Sequence, residues 1–189
     1  MQAGSESRIS VDGDLEKYCA LAIKAGATHA KQVHPSSVVT APWVRLKCQF
    51  GCPSHGRRYC CPPYTPTADQ TRAILDCYNR AILFHIKFSQ MEEKANEYQK
   101  YLDALIELEG EMFKDQFYKA FLFIAGPCRQ CKECGAAEGK PCANPSKGRT
   151  SMEGCGIDVY QTVRNNSFHI QTLREKTDVG NRYCLMLVD

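Results

Sequence analysis

The sequence predicts a mixed α/β fold, α+β in kind: a single domain whose central sheet of about five strands is flanked by helices, with two cysteine-rich metal loops at strand ends. Three observations predict it. Short apolar runs alternate with amphipathic stretches whose apolar residues recur at helical spacing. Two of those runs lead straight into cysteines punctuated by glycine and proline, where regular structure has no room. The 189 residues also contain no linker, and that length suits one domain with a substantial core.

Residues 1–13 are polar and read as a flexible tail ahead of a domain spanning 14–189. DLEKYCALAIKAG, from Asp14, is an amphipathic helix with Leu15, Cys19, Ala22 and Ile23 on one face and Gly26 as its stop. THAKQV and APWVRLKC (41–48) follow as short strands. After a Gly/Pro-rich stretch, TADQTRAILDCYNR is a helix capped by Thr67, and RAILFHIKF is a buried strand. Cys77 and His85 read as core or near-core residues. Residues 90–117 carry the longest helical pattern, with a charged, solvated face. AFLFIAG then forms a central strand that delivers Cys128 into the second loop. Thr150-Ser-Met-Glu153 fits a capping box, Gly156 interrupts the helix, and Asp158 restarts it. YCLMLVD closes the chain as a strand, with Cys184 buried.

Twelve cysteines far exceed what packing needs. The start of the chain lacks the apolar core of a signal peptide, and no run is apolar enough to span a membrane, so a cytoplasmic protein with reduced thiols is expected. The net charge of +3 is too small to argue for nucleic acid or a membrane surface. Its distribution is uneven. Arg45, Lys47, Arg57 and Arg58 face no acid within 45–63, and basic residues again outnumber acidic ones across 126–150. No nucleophile elbow, phosphate-binding loop, dinucleotide fingerprint or HExxH helix is present.

The chemistry is concentrated in GPCRQCKECGAAEGKPC, where Cys128, Cys131, Cys134 and Cys142 fall at C-x2-C-x2-C-x7-C. Two separate C-x2-C halves make the usual zinc site. An unbroken C-x2-C-x2-C run is instead the ferredoxin-type opening, in which each thiolate takes a different iron of a cubane. A [4Fe-4S] cluster is therefore the expected cofactor, with zinc as the alternative. In the first loop, Cys48 and Cys52 precede the vicinal pair Cys60 and Cys61. Adjacent side chains point apart, so only one of that pair joins Cys48 and Cys52. That leaves three thiolates, to which His55 adds a fourth ligand if the metal is zinc; otherwise it faces solvent.

Cys48, Cys52 and Cys61-Pro62-Pro63, together with AGPCRQCKEC, PCANP and RTSMEGCGIDVYQT, resemble the family of predicted metal-binding proteins known as domain of unknown function 2284. The resemblance covers nearly all of the chain after the first dozen residues. It implies a cysteine-bound metal centre of iron–sulfur type in an anaerobic setting, and it brings no established reaction. By position it implies Cys48, Cys52 and Cys61 as ligands in the first loop and Cys128, Cys131, Cys134 and Cys142 in the second. It gives no role to Cys60, and it reserves no cysteine at Cys155.

Three functions fit these residues. The first is an iron–sulfur protein with one cluster, or two, delivering electrons to a redox partner protein. The second is an enzyme whose three-thiolate cluster leaves one iron open as a Lewis acid, with Arg57, Arg58, Lys147 and Arg149 holding a small anionic substrate. The third is a zinc-stabilised binding module, against which the cysteine spacing stands. No basic stripe interleaved with aromatics points to nucleic acid.

Overall fold

The computed structural model describes residues 14–88, 93–175 and 178–189; the expected tail, 1–13, lies outside them. Among the described residues are five α-helices and a four-stranded sheet: α1 (Glu16–Lys24), β1 (His29–Val33), α2 (Pro42–Gly51), α3 (Ala68–Leu75), β2 (Ala81–Phe88), α4 (Glu93–Lys114), β3 (Phe121–Phe123), α5 (Val159–Asn165) and β4 (Gly180–Leu187). Every strand pairing is antiparallel, in the order β1-β2-β4-β3.

Both faces of the sheet are covered, which is why its central strands read as unbroken apolar runs. Strand side chains alternate between faces. Ile82, Phe84, Cys184 and Met186 therefore pack with α1 and α4, through Tyr18, Tyr98, Tyr101, Leu102 and Leu105. Ala81, Leu83, Tyr183, Leu185 and Leu187 pack on the opposite face with Leu75, Met152, Cys155, Ile157 and Val163. Residues of both groups are essentially inaccessible. Burying each such aliphatic or aromatic side chain contributes about 1.5–3 kcal/mol.

The helix of 67–80 is shorter than expected but capped as expected: Thr67 Oγ1 accepts the Gln70 N–H while the Gln70 side chain accepts that of Thr67. AFLFIAG supplies the edge strand β3 and not a central one. Two further expectations fail. Residues 41–48 are not a fifth strand, because Pro42 opens α2 with its φ already set for a helix. Their apolar pattern is misleading: Val44 is buried, whereas Trp43 and Leu46 are exposed, as is Phe50 beyond them. Arg45 secures this helix through a single Nη1 that donates to the carbonyls of Thr65, Pro66 and Gly154 and to Thr65 Oγ1, at 2.6–3.1 Å.

The second failure is at Thr150. The turn there is a short 3-10 segment, Glu153–Cys155, and Ser151 rather than Thr150 accepts the Gly154 N–H, at 2.9 Å. Gly156 follows in the left-handed region at φ 76°. It packs so tightly on Ala68 that a Cβ would stand 2.9 Å from the alanine methyl. Asp158 then caps α5 as expected.

Candidate metal centres

α2 carries Cys48 near its end and Cys52 at its C-cap, four residues on and hence on the same side of the helix. Beyond it the chain coils through turns. The His55 N–H donates to the Cys52 carbonyl at 3.1 Å, that of Gly56 reaches forward to Pro62 at 2.8 Å, and that of Cys61 reaches back to Arg58 at 3.0 Å. Gly56 takes φ 68°, which a residue without Cβ adopts at no steric cost. These turns return Cys61 to Cys48 and Cys52. Together with half-buried His55, and with Glu153 opposite, the three thiols line a cavity of about 230 Å³.

Cys60 faces elsewhere. It lines a second, tighter cavity of about 20 Å³ with Cys128, Cys131, Cys134 and Cys142. A Cβ added to Gly148 would stand 3.7 Å from the Cys60 sulfur and 3.9 Å from that of Cys142. Asn144 Nδ2 donates to Cys131 Sγ at 3.1 Å. The divergence of vicinal side chains thus assigns one cysteine to each cavity. Cys60 is the residue to which the resemblance gives no role, and the same divergence is the signal for it.

The loop bearing Cys128 to Cys142 is closed at its base. Its entry and exit pair through Ile124 N–H to the Thr150 carbonyl at 2.9 Å and Met152 N–H to the Ile124 carbonyl at 3.1 Å. Three bonds tie it to the first segment: Arg58 Nη1 to the Cys128 carbonyl at 3.0 Å, Tyr59 Oη to the Lys140 carbonyl at 2.8 Å, and Thr150 Oγ1 to the Cys60 carbonyl at 3.3 Å. Arg149, expected to face an anionic substrate, is instead held by Glu109 of α4 at 2.6 and 2.8 Å, both side chains largely buried.

Burial pushes the Cys61 thiol up to about 11, and Cys52 adds to it while Arg58 opposes. Cys48 is raised by burial too, with Cys52 adding and Arg45 opposing. Cys60 and Cys128 form a hydrogen-bonded thiol pair. That bond lowers Cys128 and raises Cys60, so the pair favours one thiolate at Cys128, which the backbone N–H groups of Gln130 and Arg149 also stabilise. A thiolate is the form in which cysteine binds metal.

The remaining four cysteines are elsewhere. Cys155 and Cys184 are buried in the two cores and Cys19 packs at the edge of one. Cys77, expected near the core, is exposed, its Sγ donating to the Ala73 carbonyl at 3.4 Å. It lies in the turn beyond Leu75, where α3 ends, and not on the helix's packed face.

Soft sulfur donors fit zinc or iron–sulfur centres and not hard cations. Among the described residues no three such side chains converge closely enough to hold an ion as they stand. The thiols stand around cavity walls, whereas one tetrahedral zinc needs its sulfurs about 3.8 Å apart. The smaller cavity has room for one ion; a cluster requires its loop to spread. That loop has only one short 3-10 turn, Gly135–Glu138, between its cysteines, so side chains rather than a ladder of backbone bonds set the cavity's width.

A mixed α/β fold whose two thiol-walled cavities meet at one vicinal cysteine pair defines a cysteine-rich protein built to bind metal. The chain belongs to the family described as "Predicted metal-binding protein (DUF2284)", whose model matches residues 31–188. No curated protein and no solved structure matches it. No helix among the described residues is long and apolar enough to cross a membrane.

Proposed function

We propose that the chain is an iron–sulfur protein with two metal centres: a [4Fe-4S] cluster in the five-cysteine cavity, serving electron delivery to a redox partner protein, and a second centre on Cys48, Cys52 and Cys61. The division of Cys60 and Cys61 between two cavities carries this reading. Cys128, Cys131 and Cys134, in the ferredoxin-type run, supply three thiolates of the cluster, and Cys60 or Cys142 supplies the fourth. When bound, the cluster exchanges single electrons at a potential set by its surroundings. Here Asn144 holds the Cys131 sulfur by a hydrogen bond, and Arg58 fixes the Cys128 backbone while placing positive charge beside an anionic centre. Tyr59 and Thr150 keep the Cys60 segment docked against the loop.

The half-buried place of His55 beside Cys48, Cys52 and Cys61 favours a second reading for that site alone. Three thiolates and an imidazole make a closed structural zinc set. Protein reconstituted without oxygen, analysed for iron, sulfide and zinc, tests both. About four irons per chain are expected in the five-cysteine cavity, with either a second iron complement or about one zinc in the other. Cys131→Ser should then disturb the first metal and Cys61→Ser the second. A colourless protein holding only zinc would sink the iron–sulfur reading. If both variants lost the same metal, two centres would be untenable.

A further inference from the structure

A large cavity of about 760 Å³ adjoins the three-cysteine site, and Cys48, Cys52, Gly126 and Glu153 line both. Its size falls within the range of small-molecule sites. Apolar side chains such as Val44, Ile157 and Ile170 form part of its wall.

Its polar groups are of two kinds. At the rim, Lys47 Nζ lies 5.8 Å from the Trp43 ring and the Arg164 guanidinium 5.6 Å from that of Tyr160. Among the described residues neither cation forms an ion pair. Asp158 of the same wall is turned to its own helix, accepting the Gln161 N–H at 3.0 Å. Arg182, also in the wall, lies over Tyr98 at 4.3 Å.

Deeper, two groups have no hydrogen-bond partner among the described residues. Glu153 Oε2 is buried and makes no hydrogen bond, a state that costs about 1–3 kcal/mol or more for a charged group unless a ligand or water relieves it. Asn181 of β4 accepts at its Oδ1 from His85 Nε2, 2.8 Å away. The buried His85 is fixed in turn by stacking on Tyr183 and by His29, whose Nδ1 is 3.0 Å from its own. With its oxygen engaged, Asn181 has its amide N–H groups left as donors to the cavity it lines.

We infer that this cavity binds a small organic acid bearing a hydroxyl or amine on an apolar body, its carboxylate at the Lys47 and Arg164 rim and its donor on Glu153 beside Cys48. Exposed cations resting on aromatic rings meet an anion without disturbing the fold. An unpartnered carboxylate oxygen in the depth suits a donor, which a hydroxyl or amine at the ligand's far end supplies. The apolar wall between rim and depth selects for its body. The site rests on the reading of Cys48, Cys52 and Cys61 as a centre only for what lies beyond the donor end.

Calorimetric titration of the reconstituted protein tests it, with 4-hydroxyphenylacetate and 6-hydroxyhexanoate as probes and metal content counted on the same sample. At least one acid should bind. Its neutral amide should bind about tenfold more weakly or worse, and the Lys47→Met/Arg164→Met variant should bind the acid no better than wild type binds the amide. Phenylacetate or hexanoate, lacking the hydroxyl, should also lose affinity. Binding of neither acid, or equal binding by the double variant, overturns the site. Equal binding of the acids without hydroxyl overturns the assignment of Glu153. The metal count fails or succeeds separately, so loss of the ligand site and loss of the two-centre reading are told apart.

Discussion

Replacing Glu109 by alanine removes one half of the Glu109–Arg149 pair, whose side chains are 12% and 13% exposed. Two costs follow. Arg149 is left charged and largely buried without its carboxylate, and breaking a buried pair from one side costs about 3–5 kcal/mol. The Leu122 N–H, on edge strand β3, also loses the acceptor it has at Glu109 Oε2, 2.8 Å away; part of that cost is already within the same figure. For a chain of this size about 1 kcal/mol moves the midpoint by roughly 2–4 °C, so the thermal midpoint should fall by about 6–20 °C. The assay is urea and thermal unfolding of metal-free protein under reducing conditions. Arg149→Met in the Glu109→Leu background should recover much of the loss, since an apolar pair leaves no buried charge. A single-variant loss below about 1 kcal/mol, the range of exposed pairs, would refute the claim that this contact holds the loop exit to α4. Because Thr150 follows Arg149 and pairs with Ile124 at the loop base, Glu109→Ala should also release metal faster from the five-cysteine cavity to a chelator.

Two further outcomes are expected. Gly148→Leu should leave the unfolding of metal-free protein nearly unchanged but depress metal loading, because a side chain there meets the sulfurs of Cys60 and Cys142; full loading, counted as iron or zinc per chain, would refute that placement. The hydrogen bond from Arg80 holds the Asp189 carboxyl below its ordinary value. Its stabilisation is thus present above the unfolded carboxylate value of about 3.9 and is lost as pH falls through the lower folded one. Arg80→Met should flatten that acid limb of the urea midpoint, by under about 1 kcal/mol given the partial exposure of Asp189; an unchanged limb would refute it.

Local signals were read correctly where a local cause decides. Thr67 caps its helix in a reciprocal box with Gln70, three residues on, and Asp158 caps α5 by accepting the Gln161 N–H. The central strands were legible because burial on both faces requires apolar residues throughout. The segment 41–48 was not. Its apolar residues read as a strand, yet Trp43 and Leu46 are exposed on α2, and the helix is held by Arg45 reaching carbonyls at Thr65, Pro66 and Gly154, contacts that no local window contains. Arg149 was misjudged for the same reason, its partner Glu109 being 40 residues away.

The spacing of cysteines along the chain determined by itself that there are two groups of thiols, and that vicinal Cys60 and Cys61 face different ways, because covalent geometry fixes how far apart neighbouring side chains point. The resemblance already grouped Cys61 with Cys48 and Cys52; only the tertiary structure decided that Cys60 joins Cys128, Cys131, Cys134 and Cys142. Only it could set Glu153 and Asn181 in one large cavity with Lys47 and Arg164. Those groupings depend on where the Arg58, Tyr59 and Thr150 hydrogen bonds dock two distant segments, and such contacts between remote residues leave no periodic or spacing signal in either segment.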